Sequence, residues 1–252
     1  PNIDFLKMDV QGAELRIYDR YQFGKLASIL TLDTRQYRSS QVCASGRERG
    51  SAYIFQSNCP DLLDESRSIL GIQQEKWLSK ELDNSKGQVW NFMVQSTLFG
   101  QRLINTPGGR PQRISNDGWD GYPISRKKIL EKVKTQKIRN FVVLGGDIHE
   151  YWVGYVKSDY ANRASEVLGF EFCGTSITSP NGGFDTASRQ KPNPHYVFSE
   201  GLRRGYSFVE VTPDALTVHL RSVKSVDSKN SDVETLAVFR VLNGSKKLER
   251  LQ

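Results

Sequence analysis

Short, continuous apolar runs bounded by turn residues recur through the first two thirds of the chain. Residues 26–32 (LASILTL), 89–93 (VWNFM), 140–146 (NFVVLGG) and 169–174 (GFEFCG) have the length and continuity of buried strands. Between them the apolar positions return at helical spacing. Leu70, Trp77, Leu78 and Leu82 predict a helix over 64–86, with Asp64 as N-cap and Gly87 as stop, and a second helix is predicted over about 125–136. Strands separated by helices predict a layered α/β core.

The pattern changes in the last third. Residues 206–211 and 215–221 alternate apolar and polar and are joined by Thr212-Pro213-Asp214, a proline-led turn, and 235–242 reads as another strand. An antiparallel β layer is therefore expected to close the chain. The one long loop candidate, 179–200, carries Asn181-Gly182-Gly183 and Pro192-Asn193-Pro194, and loops of that length are disproportionately functional. No internal repeat or low-complexity tract is present.

Composition narrows the class. The 252 residues suit one large domain or two small ones, with chain enough for a sizeable core. Hydrophobic residues make up 37%, and the 21 glycines bring the share to about 45%, as in globular chains, which excludes disorder, collagen and coiled coil as the main character. No uncharged apolar run approaches the roughly 20 residues that cross a bilayer, so no transmembrane segment is expected. The chain shows no signal peptide and starts at Pro1 rather than methionine, so an upstream segment is expected.

Charge adds little. The 35 basic and 28 acidic residues give +7, densest at Arg126, Lys127, Lys128, Lys132, Lys134, Lys137 and Arg139. That stretch could contact nucleic acid, but it alternates with Ile129, Leu130 and Val133 as a solvated helix face does. No nucleic acid is expected as a dedicated partner, while the excess favours anionic substrates.

The sharpest local signal is residues 140–152, NFVVLGGDIHEYW. A buried strand ends in two glycines, and Asp147 and His149 follow at the strand's carboxyl end, where α/β sheets place their sites. A carboxylate with an imidazole suits zinc, iron or manganese. The alternative is a turn aspartate beside a histidine that caps the strand.

This motif resembles the GD-x-H motif of the metallophosphoesterases, and its context is similar to the PhoD-type alkaline phosphatases. Carrying the resemblance in the family's order are LDTRQYR (32–38), SILGIQQEKWL (68–78), WNFMVQSTLFGQ (90–101), DGWDGYP (117–123), GTSITS (174–179), NPH (193–195) and RRGY (203–206), so it covers about residues 16–250. It implies a secreted or periplasmic phosphomonoesterase or phosphodiesterase that uses iron and calcium in an α/β/β/α metallophosphatase sandwich and takes a phosphate ester as substrate. Metal ions in such a site activate a nucleophile and neutralise phosphoryl charge.

By motif, Asp147 and His149 correspond to metal ligands, and Gln95 in WNFMVQS falls where metallophosphatases often present an amide ligand. Arg35 is a candidate catalytic residue that could hold phosphate bidentately, or a structural arginine paired with Asp33 or a nearby carbonyl. His195, in NPH, is the second catalytic candidate, lining the site or serving as a turn residue. Asp120 supports the site from behind or plays a structural part. His219 belongs to the polar face of a strand and is expected to do nothing.

The departures from the family are as informative. Its members carry an upstream half with a cysteine ligand, an aspartate and tyrosine pair and a Trp-Asp-Asp-His-Glu stretch, none of which occurs in this sequence. The chain is therefore expected to be the C-terminal part of a PhoD-like domain (16–252), with the N-terminal half missing and either supplied by a partner or replaced by self-association. Residues 4–15 (DFLKMDVQGAEL) resemble a strand and turn of FkbM-type methyltransferases, so 1–15 is a segment of unclear origin, and a methyltransferase is a distant third reading. The leading expectation is metal-dependent hydrolysis of phosphate mono- or diesters, incomplete in this chain. The alternative is a non-catalytic remnant acting as a scaffold or interaction module.

Cysteines bear on compartment. Cys43 and Cys59 flank a polar loop of 15 residues, and the export usual in the family favours a bridge between them. Cys173 is expected to be a buried thiol.

Overall fold

The computed structural model describes residues 18–44, 50–105, 112–180 and 189–252. A seven-stranded sheet forms its centre, in the order β1 (Asp19–Phe23), β2 (Ala27–Thr31), β4 (Trp90–Val94), β6 (Phe141–Gly145), β8 (Val167–Cys173), β7 (Tyr151–Lys157) and β9 (Tyr196–Glu200). β2, β4, β6 and β8 run parallel, with antiparallel strands at both edges. The four parallel strands are the four apolar runs read from the sequence. They carry continuous hydrophobic stretches because both faces of a parallel sheet are covered.

One face packs against α1 (Gly71–Asn84) and α2 (Pro123–Thr135), through Leu30, Met93, Phe141 and Val143 on the strands and Leu78, Leu82, Leu130 and Val133 on the helices. The other face meets a second, antiparallel sheet of β10 (Arg204–Val211), β11 (Ala215–Val223), β12 (Val233–Leu242) and β13 (Glu249–Arg250). Strand β11 alternates buried and partly exposed residues along its whole length, as a strand with one face on a core must. Between the sheets lie Phe92, Val142, Phe170, Val218, Leu220 and Phe239. Two polar stitches cross the same interface: Tyr151 Oη donates to the Arg221 carbonyl at 2.6 Å, and Trp90 Nε1 donates to the Thr212 carbonyl at 2.7 Å. A small ribbon of β3 (Tyr53–Phe55) and β5 (Arg113–Ser115) lies outside both sheets.

Several expectations are corrected. The first helix starts at Gly71, not beside Asp64, because Pro60–Leu63 forms a 3-10 turn and Asp64 Oδ1 instead accepts from the Ser66 amide and hydroxyl. Gly71 has φ +72, a left-handed turn into the helix. The long loop ends early, at strand β9; residues 181–188 lie outside the described residues, as do 1–17 and therefore the methyltransferase-like segment. Strand β7, which the sequence pattern did not predict, begins at the last two residues of the GGDIHEYW motif. Arg126 is not on the solvated face of α2: it is buried against Asp120 Oδ1 at 2.7 Å and the Phe99 carbonyl at 3.1 Å.

The Cys43–Cys59 disulfide is present, with Cα atoms 5.8 Å apart, and Cys173 is a buried free thiol. No helix among the described residues is long and apolar enough to cross a membrane.

Candidate active site

Strands β2, β4 and β6 deliver their following loops to one end of the sheet. After β6, Asp147 and His149 both take left-handed backbone conformations, φ 71 and 57, which non-glycine residues adopt only at a cost of about 1 kcal/mol or more each. Tight packing beneath holds this turn. A Cβ added to Gly145 would lie 2.2 Å from the Thr97 carbonyl oxygen and 2.8 Å from Gln95 Nε2, so only glycine lets the β4 loop approach β6.

After β2, the Asp33 side chain accepts from the Arg35 and Gln36 amides at 2.8 and 3.0 Å and folds the chain back, which aims the Arg35 guanidinium across the sheet end. Arg35 Nη1 donates to Asp117 Oδ2 at 2.9 Å and Nη2 to Asp147 Oδ2 at 2.7 Å. Asp117 also receives Arg38 Nη2 at 3.0 Å and Gln41 Nε2 at 2.7 Å. Burial disfavours both charged groups, yet the pairing outweighs it: Arg35 titrates above its ordinary value and Asp117 below its own.

His149 Nδ1 lies 2.7 Å from the Pro180 carbonyl. A carbonyl acceptor there places the proton on Nδ1 and leaves the Nε2 lone pair free, the orientation a metal-binding histidine uses. Asp147 keeps a carboxylate oxygen beyond its Arg35 contact and is 41% exposed at its side chain. Gln95 stands differently. Its Oε1 accepts from Trp119 Nε1 and the Thr97 amide, both at 3.0 Å, and its Nε2 donates to the Thr97 carbonyl, so the amide oxygen is already engaged. Among the described residues no group of three or more His, Cys, Asp or Glu could hold a metal ion. Asp147 and His149 are two donors where a catalytic metal takes at least three from protein, so the described residues do not by themselves make an iron or calcium centre.

The structure thus gathers Arg35 and Asp147, with His149 in the same turn and Gln95 packed under it. His195 is not brought to that group. It is packed, partly buried, between Tyr160 and Tyr196, its Nε2 lies 2.8 Å from the Gln101 carbonyl, and desolvation lowers its pKa to about 4. Asp120 braces Arg126 and accepts from the Arg102 amide at 2.9 Å, a structural role. His219 does make a contact, to Glu210 Oε2 at 2.8 Å across the β10–β11 pair.

Asp117, Arg38 and Gln41 escaped the sequence reading. Asp117 stood in the quoted DGWDGYP stretch, but nothing in its spacing pointed to Arg35, 82 residues away. A further missed residue is Glu171. Its buried carboxylate accepts from the Phe99 and Gly100 amides and from Tyr196 Oη, clamping the loop that follows β4, and burial raises it to about 7.

The family model described as PhoD-like phosphatase matches residues 5–220. Alkaline phosphatase D of Bacillus subtilis (strain 168) is 34% identical over 232 residues, which is 90% of this chain and 38% of that protein. A solved structure described as the structure of PhoD superposes with a TM-score of 0.84 at 31% identity, covering 95% of this chain and 44% of the other. The chain therefore spans less than half the length of these relatives.

Proposed function

The chain belongs to the PhoD-like phosphatase family, and on that premise we propose that it carries the phosphate-binding side of a metal-dependent site for hydrolysing phosphate mono- or diesters. The observation that carries this reading is Arg35, a half-buried guanidinium clamped by Asp117 and Asp147 at the carboxyl end of parallel strands. A planar fork in that place binds two phosphoryl oxygens at once, and an arriving phosphate exchanges with Asp147 as its partner. Asp117, with Arg38 and Gln41 on its other oxygen, keeps the fork aimed.

Asp147 and His149 are the chain's contribution to the iron and calcium that the family resemblance implies; the remaining ligands come from residues outside this set. Gln95 and His195 are assigned support, since the amide oxygen of one and the packed ring of the other are committed to the fold. The α/β/β/α sandwich of the metallophosphatases is proposed as the fold of the complete domain, and an oxidising, extracytoplasmic compartment is supported by the Cys43–Cys59 bridge.

Phosphate binding tests the reading. Inorganic phosphate should bind the chain, and Arg35→Ala should weaken it about tenfold or more, the size of a lost charge-assisted pair. Equal affinity in Arg35→Ala would sink it. The count of two donors favours a second reading, a non-catalytic scaffold or interaction module, and turnover of p-nitrophenyl phosphate or its diester separates the two.

A further inference from the structure

At the opposite end of β6 from Asp147, about 16 Å along the strand, a cavity of about 230 Å³ opens between the end of α2, the start of β8 and the turn after β12. Its floor is apolar, formed by Val133, Ile138 and Leu168, and its walls carry Lys134, Lys137, Arg139 and Lys246 against a single acid, Glu166.

These cations are only partly neutralised. Lys134 reaches Glu166 at 4.0 Å between exposed side chains, a weak pair, and Lys246 Nζ donates to the Leu168 carbonyl at 3.3 Å. Lys137 and Arg139 have no acidic partner among the described residues. Burial lowers the Lys246 pKa, and a nearby anion favours its charged form.

The frame is built rather than incidental. Lys137 and Asn140 both hold left-handed backbone, φ 52 and 46. Asn140 ties three segments together, donating to the Val89 carbonyl and Asn243 Oδ1 and accepting from the Gly244 amide at 2.9 Å. Lys137 in this conformation stops α2, with the Ile138 amide donating back to the Val133 carbonyl at 3.0 Å, so the cavity wall is fixed by the helix end.

We propose that this cavity binds a compact, multiply charged oxyanion of the pyrophosphate class. The volume falls short of a drug-sized ligand but admits two linked phosphoryl groups, and four cations against one acid match a charge of minus three or four. The basic run of α2 thereby has a use beyond a solvated face, at a site separate from Arg35.

Titration with methylenediphosphonate, a diphosphate analogue that resists hydrolysis, reads the cavity alone in an Arg35→Ala background. Binding should persist there, and adding Lys137→Gln with Arg139→Gln, or Lys246→Gln, should weaken it about tenfold or more. In the unaltered chain the analogue should protect Lys134, Lys137 and Lys246 from acetylation, which keeps the test independent of how the variants fold. Absence of binding in the Arg35→Ala background, unchanged affinity in the lysine and arginine variants, or no protection would each overturn the proposal. The last two results would leave these residues as complements to the negative end of α2.

Discussion

Asp117 holds the Arg35 guanidinium at 2.9 Å from 82 residues further along the chain, and the same carboxylate binds Arg38 and Gln41 through its other oxygen. An arginine on a loop loses much of its value as a phosphate ligand if it must be ordered at each encounter. Asp117 supplies that order beforehand.

Asp117→Ala therefore should weaken inorganic phosphate binding several-fold, about 1 kcal/mol, by calorimetry. The sign is diagnostic. Were net charge the only factor, deleting a carboxylate beside Arg35 would strengthen phosphate binding, so tighter binding in this variant would refute the orienting role.

Breaking the Cys43–Cys59 bridge should destabilise the chain by about 3 kcal/mol in the loop-closure picture. Peptide mapping of protein made in an oxidising compartment should recover the linked pair, and Cys43→Ser with Cys59→Ser should lower the denaturation midpoint. Two free thiols in that material would remove the assignment.

Glu171 and His195 should give opposing pH dependences of stability. Burial raises Glu171 from 4.5 to about 7, so its contribution is full below pH 4.5 and is lost as pH rises towards 7. Burial lowers His195 from 6.5 to about 4, so its contribution is full above pH 6.5 and is lost as pH falls towards 4. In the overlap the two slopes, each up to about 1.4 kcal/mol per pH unit, oppose one another. Denaturation of Glu171→Gln across that range should show stability rising with pH, and His195→Gln should show it falling. Parallel profiles in both variants would contradict the burial-driven shifts.

Gly145→Ala places a methyl against the Thr97 carbonyl and Gln95, and should cost about 1–3 kcal/mol by overpacking. Because Asp147 follows two residues later, phosphate binding should weaken along with the melting temperature. A variant as stable as the parent would show that the β4 loop can retreat.

Metal content is expected to track ligand count. The chain by itself should bind iron or calcium weakly and hydrolyse p-nitrophenyl phosphate negligibly, since Asp147 and His149 are two donors. Adding in trans the part of a PhoD-like relative that this chain does not span should restore both metal uptake and turnover. His149→Ala should then abolish the activity while sparing the association. A complex equally active with His149→Ala would place the chemistry elsewhere.

Residues that act through their immediate neighbours were legible in the sequence. The four parallel strands announced themselves because burial on both faces demands unbroken apolar runs, and β11 because burial on one face demands alternation. The Asp147 and His149 turn was visible because two glycines closing a buried strand leave little else for a polar pair to do. The helix at Gly71 was misplaced by seven residues because Asp64 satisfies a local turn with the same side chain that would cap a helix. What the tertiary structure alone decided was pairing across distance: Arg35 with Asp117, Arg126 with Asp120 under an apparently polar helix face, Glu171 with the amides of Phe99 and Gly100. Hydrophobic periodicity records which side of an element faces the core, whereas a hydrogen bond between distant segments depends on how those elements are stacked, and no local pattern in the chain encodes that.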